Sequence, residues 1–104
     1  MAATSKVLAR AAFATSSATL YTVPNTSTTT VVTSIVVCNT AGTSATFNIL
    51  IDGVDVFNTA AIAANTTAVI DIKQVIPANA TPKIIAGHAS AVTVKVHISG
   101  VEIV

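Results

Sequence analysis

Apolar and polar residues alternate with a period of two along most of the chain, which is the pattern of β-strands with one covered face. The clearest run lies near the C-terminal end, where Val92, Val94, Val96 and Ile98 alternate with polar side chains. By the same reading, strands are predicted at 19–23, 30–39, 45–51, 54–57, 67–75, 83–86, 92–99 and 101–104. Seven or eight short strands at this spacing favour an all-β fold, a single antiparallel β-sandwich of which the jelly roll is one form.

Two local patterns refine this prediction. We expect both faces of segment 30–39 to be covered, because each alternating set is largely apolar: Val31, Thr33, Ile35 and Val37 on one side, and Val32, Ser34, Val36 and Cys38 on the other. Asp52-Gly53 predicts a tight hairpin turn, since glycine accepts a positive φ. Segment 60–64 is interpreted as a connection between strands.

The length of 104 residues allows one domain with a modest core. Residues 1–18 show no sustained period and are predicted to be an N-terminal arm or a first strand, while residues 19–104 form the β-sandwich domain. The segment lacks the apolar stretch of a secretory signal, and every apolar run is too short to span a membrane. We therefore expect a protein made in a cytoplasm, with no membrane partner.

Composition supports the predicted strands and indicates a surface with few charged residues. The chain has 17 Thr, 15 Val and 11 Ile, and branching at Cβ favours strands over helices. Only 9% of its residues are charged, and the net charge of +1 is far from the dense positive field that nucleic acid requires. A surface of Thr, Ser, Ala and Asn is desolvated at low cost, so we expect it to be covered by neighbouring copies in a homo-oligomer.

Candidate chemistry is sparse. The single cysteine, Cys38, reads as a small buried apolar residue, and His88 and His97 read as surface or interface histidines without metal-ligand spacing. Turn chemistry accounts for Asp52, and the Asp52–Asp55 segment lacks the ligand pattern of a calcium loop. The sequence thus predicts no catalytic residues, no metal and no cofactor.

Several segments together resemble a group of small tailed-bacteriophage virion proteins. They are Leu20-Tyr21-Thr22-Val23-Pro24, then the strand Thr30–Asn39, then Ala61-Ile62-Ala63-Ala64-Asn65-Thr66, and finally Gly100-Val101-Glu102-Ile103. The order matches that of the group over about residues 19 to 104. Segment 82–88 departs from it, because related chains often have a Gly-Asp-x-Ile segment before the last strand. The resemblance implies a non-enzymatic structural component of a virion.

The resulting expectation is a capsid decoration, or cement, protein that binds the major capsid protein or other virion proteins on the capsid surface. We expect a closed ring, most simply a trimer, because rings leave no open edge. Lys6, Val7, Leu8 and Arg10 are the predicted contacts to the shell or to a neighbouring subunit. Three alternatives remain open at this point: a neck, tail or baseplate protein, a module that binds host-surface carbohydrate, and a soluble cellular monomer.

Overall fold

Eight β-strands make up the computed structural model, which describes residues 2–104. They are β1 (Ala3–Ala12), β2 (Ala18–Thr22), β3 (Thr29–Asn39), β4 (Ala45–Ile51), β5 (Val54–Ile62), β6 (Thr66–Ile76), β7 (Ile84–Ala89) and β8 (Val94–Ile103). The described part of the chain contains no helix, as expected for a sequence so rich in residues branched at Cβ. The predicted all-β class is confirmed.

The strands form two four-stranded antiparallel sheets. Sheet I has the order β1-β8-β3-β6, and sheet II has the order β2-β7-β4-β5. Each strand of the first half of the chain pairs with one of the second half: β1 with β8, β2 with β7, β3 with β6, and β4 with β5. An antiparallel ribbon of four such pairs, rolled upon itself, gives this order, which is that of a jelly roll. The predicted β-sandwich is thus confirmed.

The core fills the space between the two sheets. Its aromatic part is a short row in which the ring centroids of Phe13 and Phe47 lie 6.2 Å apart and those of Phe47 and Phe57 lie 5.6 Å apart. Aliphatic side chains from both sheets supply the rest, and the largest that are fully buried are Ile35, Ile49, Ile76, Ile85, Ile98, Val23, Val32, Val37, Val94 and Val96. Because the sheets pack through these residues, their opposite faces are left for solvent or for partners.

Strand β3 departs from the predicted alternation at Thr33. Val32 and Ile35 are both fully buried, whereas the predicted alternation placed Val31 on the same face as Ile35. Thr33 is an extra residue relative to β8, where Gly100 pairs with Val32 and Ser99 with Ser34. This β-bulge reverses the faces of the strand on its two sides. Within the subunit the outward face of β3 is only half-buried, so the expected covering of both faces stays a prediction that needs a neighbouring molecule.

Turns and strand ends show one confirmation and two corrections. Asp52 and Gly53 have φ of 54° and 75°, which confirms the predicted tight hairpin between β4 and β5. Strand β5 continues to Ile62, so most of segment 60–64 is strand rather than connection, and the chain turns near Asn65, whose φ is 51°. Strand β8 continues through Gly100 instead of ending before it.

Residues 3–12, within the predicted N-terminal segment 1–18, form strand β1 at one edge of sheet I. The strand pairs with β8 along its whole length, and Phe13 directly after it is fully buried. The other edge of sheet I is β6, which pairs only with β3 among the described residues. Both edge strands of this sheet are long, at 10 and 11 residues.

Candidate interaction surface

The outward face of sheet I is the candidate interaction surface, hereafter the sheet I surface. One row of side chains crosses it through the register of three strands: Val31 of β3 lies between Val75 of β6 and Val101 of β8. Ser5 of β1 continues the row beside Val101. Val75 is 61% exposed. The row therefore presents three neighbouring valines to the outside of the molecule.

A second row follows farther along the same strands. Val36 of β3 lies between Val69 of β6 and His97 of β8, and Arg10 of β1 lies beside His97. Val69 is 75% exposed, whereas Val36 and His97 are half-buried by their neighbours. His97 thus lies on the outward face of β8, which agrees with its interpretation as a surface or interface histidine. This row is apolar toward β6 and basic toward β1.

A polar row separates the two valine rows at the level of the β-bulges. Ser99 of β8 pairs with Ser34 of β3 and with Val7 of β1, and the Thr33 hydroxyl donates to the Ser99 carbonyl oxygen at 3.2 Å. A shallow, open depression of about 520 Å³ lies here, lined by Ser5, Lys6, Val7, Thr33, Ser99, Gly100 and Val101. Apart from Lys6, its lining carries no ionisable side chain, so it suits a partner's side chain better than it suits catalysis.

The four predicted contact residues on β1 lie in different environments. Leu8 is only 8% exposed and belongs to the core, so its prediction as a partner contact is corrected: its own subunit already contacts it. The physical reason is a register shift between Val7 and Ala9, which lets Leu8 and Ala9 both be buried. Val7 is 45% exposed and lies on the sheet I surface.

The two cationic residues of β1 each have a partner within the subunit. The Lys6 ammonium lies 3.2 Å from a Glu102 carboxylate oxygen, and the Arg10 Nε donates to the His97 Nδ1 at 3.1 Å. Lys6 and Arg10 are exposed. Arg10 lies on the sheet I surface beside His97, whereas Lys6 pairs with Gly100 and reaches Glu102 on the side of β1 that faces sheet II. Of the two, Arg10 therefore places positive charge at the β1 border of this surface, where it suits an acidic partner.

A hydrogen-bonded group links the sheets at one end of the sandwich. The Tyr21 hydroxyl of sheet II lies 2.8 Å from the Thr30 hydroxyl and donates to the Glu102 carboxylate at 2.6 Å. Burial, and then the hydrogen bond to Glu102, raise the pKa of Tyr21 to about 12. The hydrogen bond from Tyr21 lowers the pKa of Glu102, and Lys6 acts in the same direction. A neutral tyrosine and an ionised glutamate held in this way stabilise the fold but are poorly suited to acid–base chemistry.

Sequence reasoning did not find this group, because Tyr21 and Glu102 are 81 residues apart. A signal was nevertheless present in the sequence. Both residues lie in the segments that carry the resemblance to the phage proteins, Leu20–Pro24 and Gly100–Ile103. The two segments are brought together because β2 and β8 lie in opposite sheets of one sandwich.

The other candidate residues are not brought together. Cys38 is half-buried beside Lys95 and Thr67, so its interpretation as a buried apolar residue is corrected. His88 lies half-buried on sheet II. Within residues 2–104 there is no group of three histidine, cysteine, aspartate or glutamate side chains that could hold a metal ion. The same range contains no helix with the length and apolar character needed to cross a membrane.

Comparisons with known proteins bear on the fold. No protein-family model matches the chain, and no curated protein matches its sequence. A solved chain in the structure of infectious bursal disease virus, Gx strain, is similar with a TM-score of 0.53 and 12% identity, over 98% of this chain and 32% of that one. A chain of the Gt strain has a TM-score of 0.35 and 18% identity, over 97% of this chain and 29% of that one. This protein thus spans about a third of each viral chain, and the likeness to the Gx chain shows a shared fold over that part.

Proposed function

We propose that the protein is a non-enzymatic structural protein of a bacteriophage virion, and within that class a capsid decoration protein. It binds the shell at symmetric positions and stabilises it. The proposal begins from the resemblance of segments 20–39, 61–66 and 100–103 to small phage virion proteins. The similarity of the fold to a chain of a solved virus structure supports the broader part of the proposal, a viral structural role.

The observation that carries the proposal is the apolar sheet I surface. Its centre consists of the rows around Val31 and Val36, and the charged groups among these rows and the polar row between them, Arg10, Asp71 and Lys73, all lie on the edge strands β1 and β6. Interfaces are depleted of charge at their centre and polar at their rim. The sheet I surface shares this distribution, because its apolar rows lie inside a border of basic β1 and mixed-charge β6.

The mechanism is mechanical rather than catalytic. Each copy covers adjacent capsid subunits with the sheet I surface, and burial of apolar area contributes about 25 cal/mol per Å². Repetition over many copies adds these contributions and opposes the outward pressure of packaged DNA. A closed trimeric ring places several such surfaces on one symmetric point of the shell, with Val7 and Arg10 at the border of each and Lys6 on the other side of the same strand.

Substitutions on the sheet I surface test this proposal. Val36→Lys places a charge at its centre, and Val7→Lys places one at its more exposed border. Val92→Lys is the matched control, because Val92 is 58% exposed in the turn before β8. We expect both surface variants to bind purified capsids at least about tenfold more weakly, whereas the control binds like the unaltered protein. Thermal unfolding identifies any variant that is misfolded.

Location and copy number in purified particles distinguish the remaining candidates. A decoration protein is present in hundreds of copies on the shell, whereas a neck, tail or baseplate protein is present in a few to a few tens. If the protein is absent from particles, or if the surface variants bind as well as the Val92→Lys control, the proposal is wrong.

A further inference from the structure

Strand β6 leaves one backbone edge without a partner among the described residues. It lies at the end of sheet I, is 11 residues long, and contains no proline or glycine. Its outward side chains include Val69 and Val75, two of the most exposed large apolar residues in the molecule, at 75% and 61%. Long edge strands with exposed apolar side chains are templates for pairing with another strand. The register shift of β6 near Ile72 and Lys73 is against β3, on the side of the strand that is already paired. The unpaired backbone edge of β6 is therefore suited to pairing with another β-strand.

We propose that this partner strand is β6 of a second copy, paired antiparallel about a two-fold axis with Ile72 opposite Ile72. Antiparallel pairing in this register places Asp71 of each copy opposite Lys73 of the other, and Val69 opposite Val75. Each contact occurs twice because of the two-fold axis. Asp71 and Lys73 lie 3.9 Å apart in a solvent-exposed ion pair within the subunit, and their side chains are 89% and 78% exposed, so both can also reach a partner strand. Directly opposite residues in antiparallel strands are close enough for charge pairs and apolar contacts to form.

Charge selects this register over its neighbours. A shift of one residue turns the outward side chains of one copy against the inward ones of the other. A shift of two residues places Asp71 opposite Asp71 in one direction and Lys73 opposite Lys73 in the other, and like charges directly opposite are unfavourable. Only the register centred on Ile72 joins unlike charges and also matches the two exposed valines.

The opposite edge of sheet I does not offer the same self-complementarity. The charged residues of β1 are Lys6 and Arg10, both cationic. Any pairing of β1 with itself that brings these residues together joins like charges. Self-pairing is therefore assigned to β6, whereas the cationic β1 suits an acidic partner.

The pairing joins two copies of sheet I into one eight-stranded sheet, with the Val69 and Val75 rows of both copies side by side. This two-fold contact is independent of the proposed virion role and of the ring. If rings form through another surface, β6 pairing doubles their mass. If no ring forms, it converts monomers into dimers.

Charge exchange tests the register directly, because the altered residues are exposed and not part of the core. In the Asp71→Lys variant the new lysine lies opposite Lys73 of the other copy, and in Lys73→Asp two acidic residues oppose each other. We expect each variant alone to halve the mass found by light scattering at concentrations where the unaltered protein is paired. The double variant Asp71→Lys/Lys73→Asp restores unlike charges, and so does an equimolar mixture of the two single variants. Both should recover the original mass.

Asp55→Lys is the control, because it makes the same change of charge on β5, an edge strand of sheet II. It should leave the mass unchanged. Hydrogen exchange gives a second measurement: backbone amides of β6 that point away from β3 should be protected in the unaltered protein and exchange faster in Asp71→Lys. If the single variants keep the original mass, or if the mixture does not recover it, the proposed pairing is refuted. Neither result depends on whether the protein is found in virions.

Discussion

Ionisation of Tyr21 should destabilise the fold, and the chain is well suited to measuring it. Tyr21 is 7% exposed and donates its hydroxyl proton to the Glu102 carboxylate at 2.6 Å. Loss of that proton would leave a buried phenolate facing a carboxylate, which is why the pKa of Tyr21 is raised to about 12. Because the folded state holds the proton more tightly than the unfolded state does, stability is present below the unfolded pKa of about 10 and is lost above it.

The size of the effect follows from the shift in pKa. One pKa unit corresponds to about 1.36 kcal/mol, so the shift from about 10 to about 12 corresponds to about 2–3 kcal/mol. This stability should disappear progressively between about pH 10 and pH 12, with a slope of at most about 1.4 kcal/mol per pH unit. In Tyr21→Phe this part of the pH dependence should be absent. At neutral pH the variant should be less stable by about 1–3 kcal/mol, because Thr30 and Glu102 lose a hydrogen-bond partner.

Near-ultraviolet absorbance can follow the ionisation directly, since the chain has one tyrosine and no tryptophan. The folded protein should titrate near pH 12, and the same protein in denaturant near pH 10. Urea unfolding at several pH values supplies the free energy, and Tyr21→Phe is the control for titration of lysines. A folded-state titration near pH 10, or an equal alkaline loss of stability in Tyr21→Phe, would show that the hydroxyl is not held as described.

Two further predictions concern the backbone. A Cβ at Gly100 would overlap the Val31 carbonyl oxygen and approach Leu8 Cδ1 to 2.8 Å, so Gly100→Ala should lower the free energy of unfolding, measured in urea, by about 1–3 kcal/mol. Gly42→Ala is the control and should change this free energy little, because nothing lies within 4 Å of a Cβ there. Equal effects of the two substitutions would contradict the packing described for β8. Thr59 has a φ of 50°, which is strained for a residue branched at Cβ, so Thr59→Gly should raise stability by up to about 1 kcal/mol, and a lower melting temperature would show that the strain is not relieved.

The fold was accessible from the sequence because its main determinants are local. Alternation and turn residues located the strands, and Asp52-Gly53 located a hairpin whose positive φ values are now seen. The bulge at Thr33 was not accessible, since nothing in a run of Val, Thr, Ser and Ile marks which residue is extra. That one residue decides that Val32 rather than Val31 enters the core.

The candidate surface was less accessible because it depends on the register between distant strands. Val31, Val75 and Val101 are neighbours only because β3 pairs with both β6 and β8. Composition alone indicated a surface short of charge, but it could not locate the apolar part on one sheet. The same limit explains the error at Leu8, where a local irregularity turns the side chain inward.

The position of β1 also changes how its role in binding can be tested. Removal of residues 1–14 would test a flexible arm, but here it would remove an edge strand of sheet I together with Leu8, Ala9 and the fully buried Phe13. Loss of three core side chains, Phe13 alone costing about 3–5 kcal/mol, is comparable to the whole stability of a small domain. A truncated chain that failed to bind would therefore report unfolding, whatever β1 contacts. Single substitutions of Val7 and Arg10, which leave the pairing of β1 with β8 intact, separate the binding role of this strand from its role in the fold.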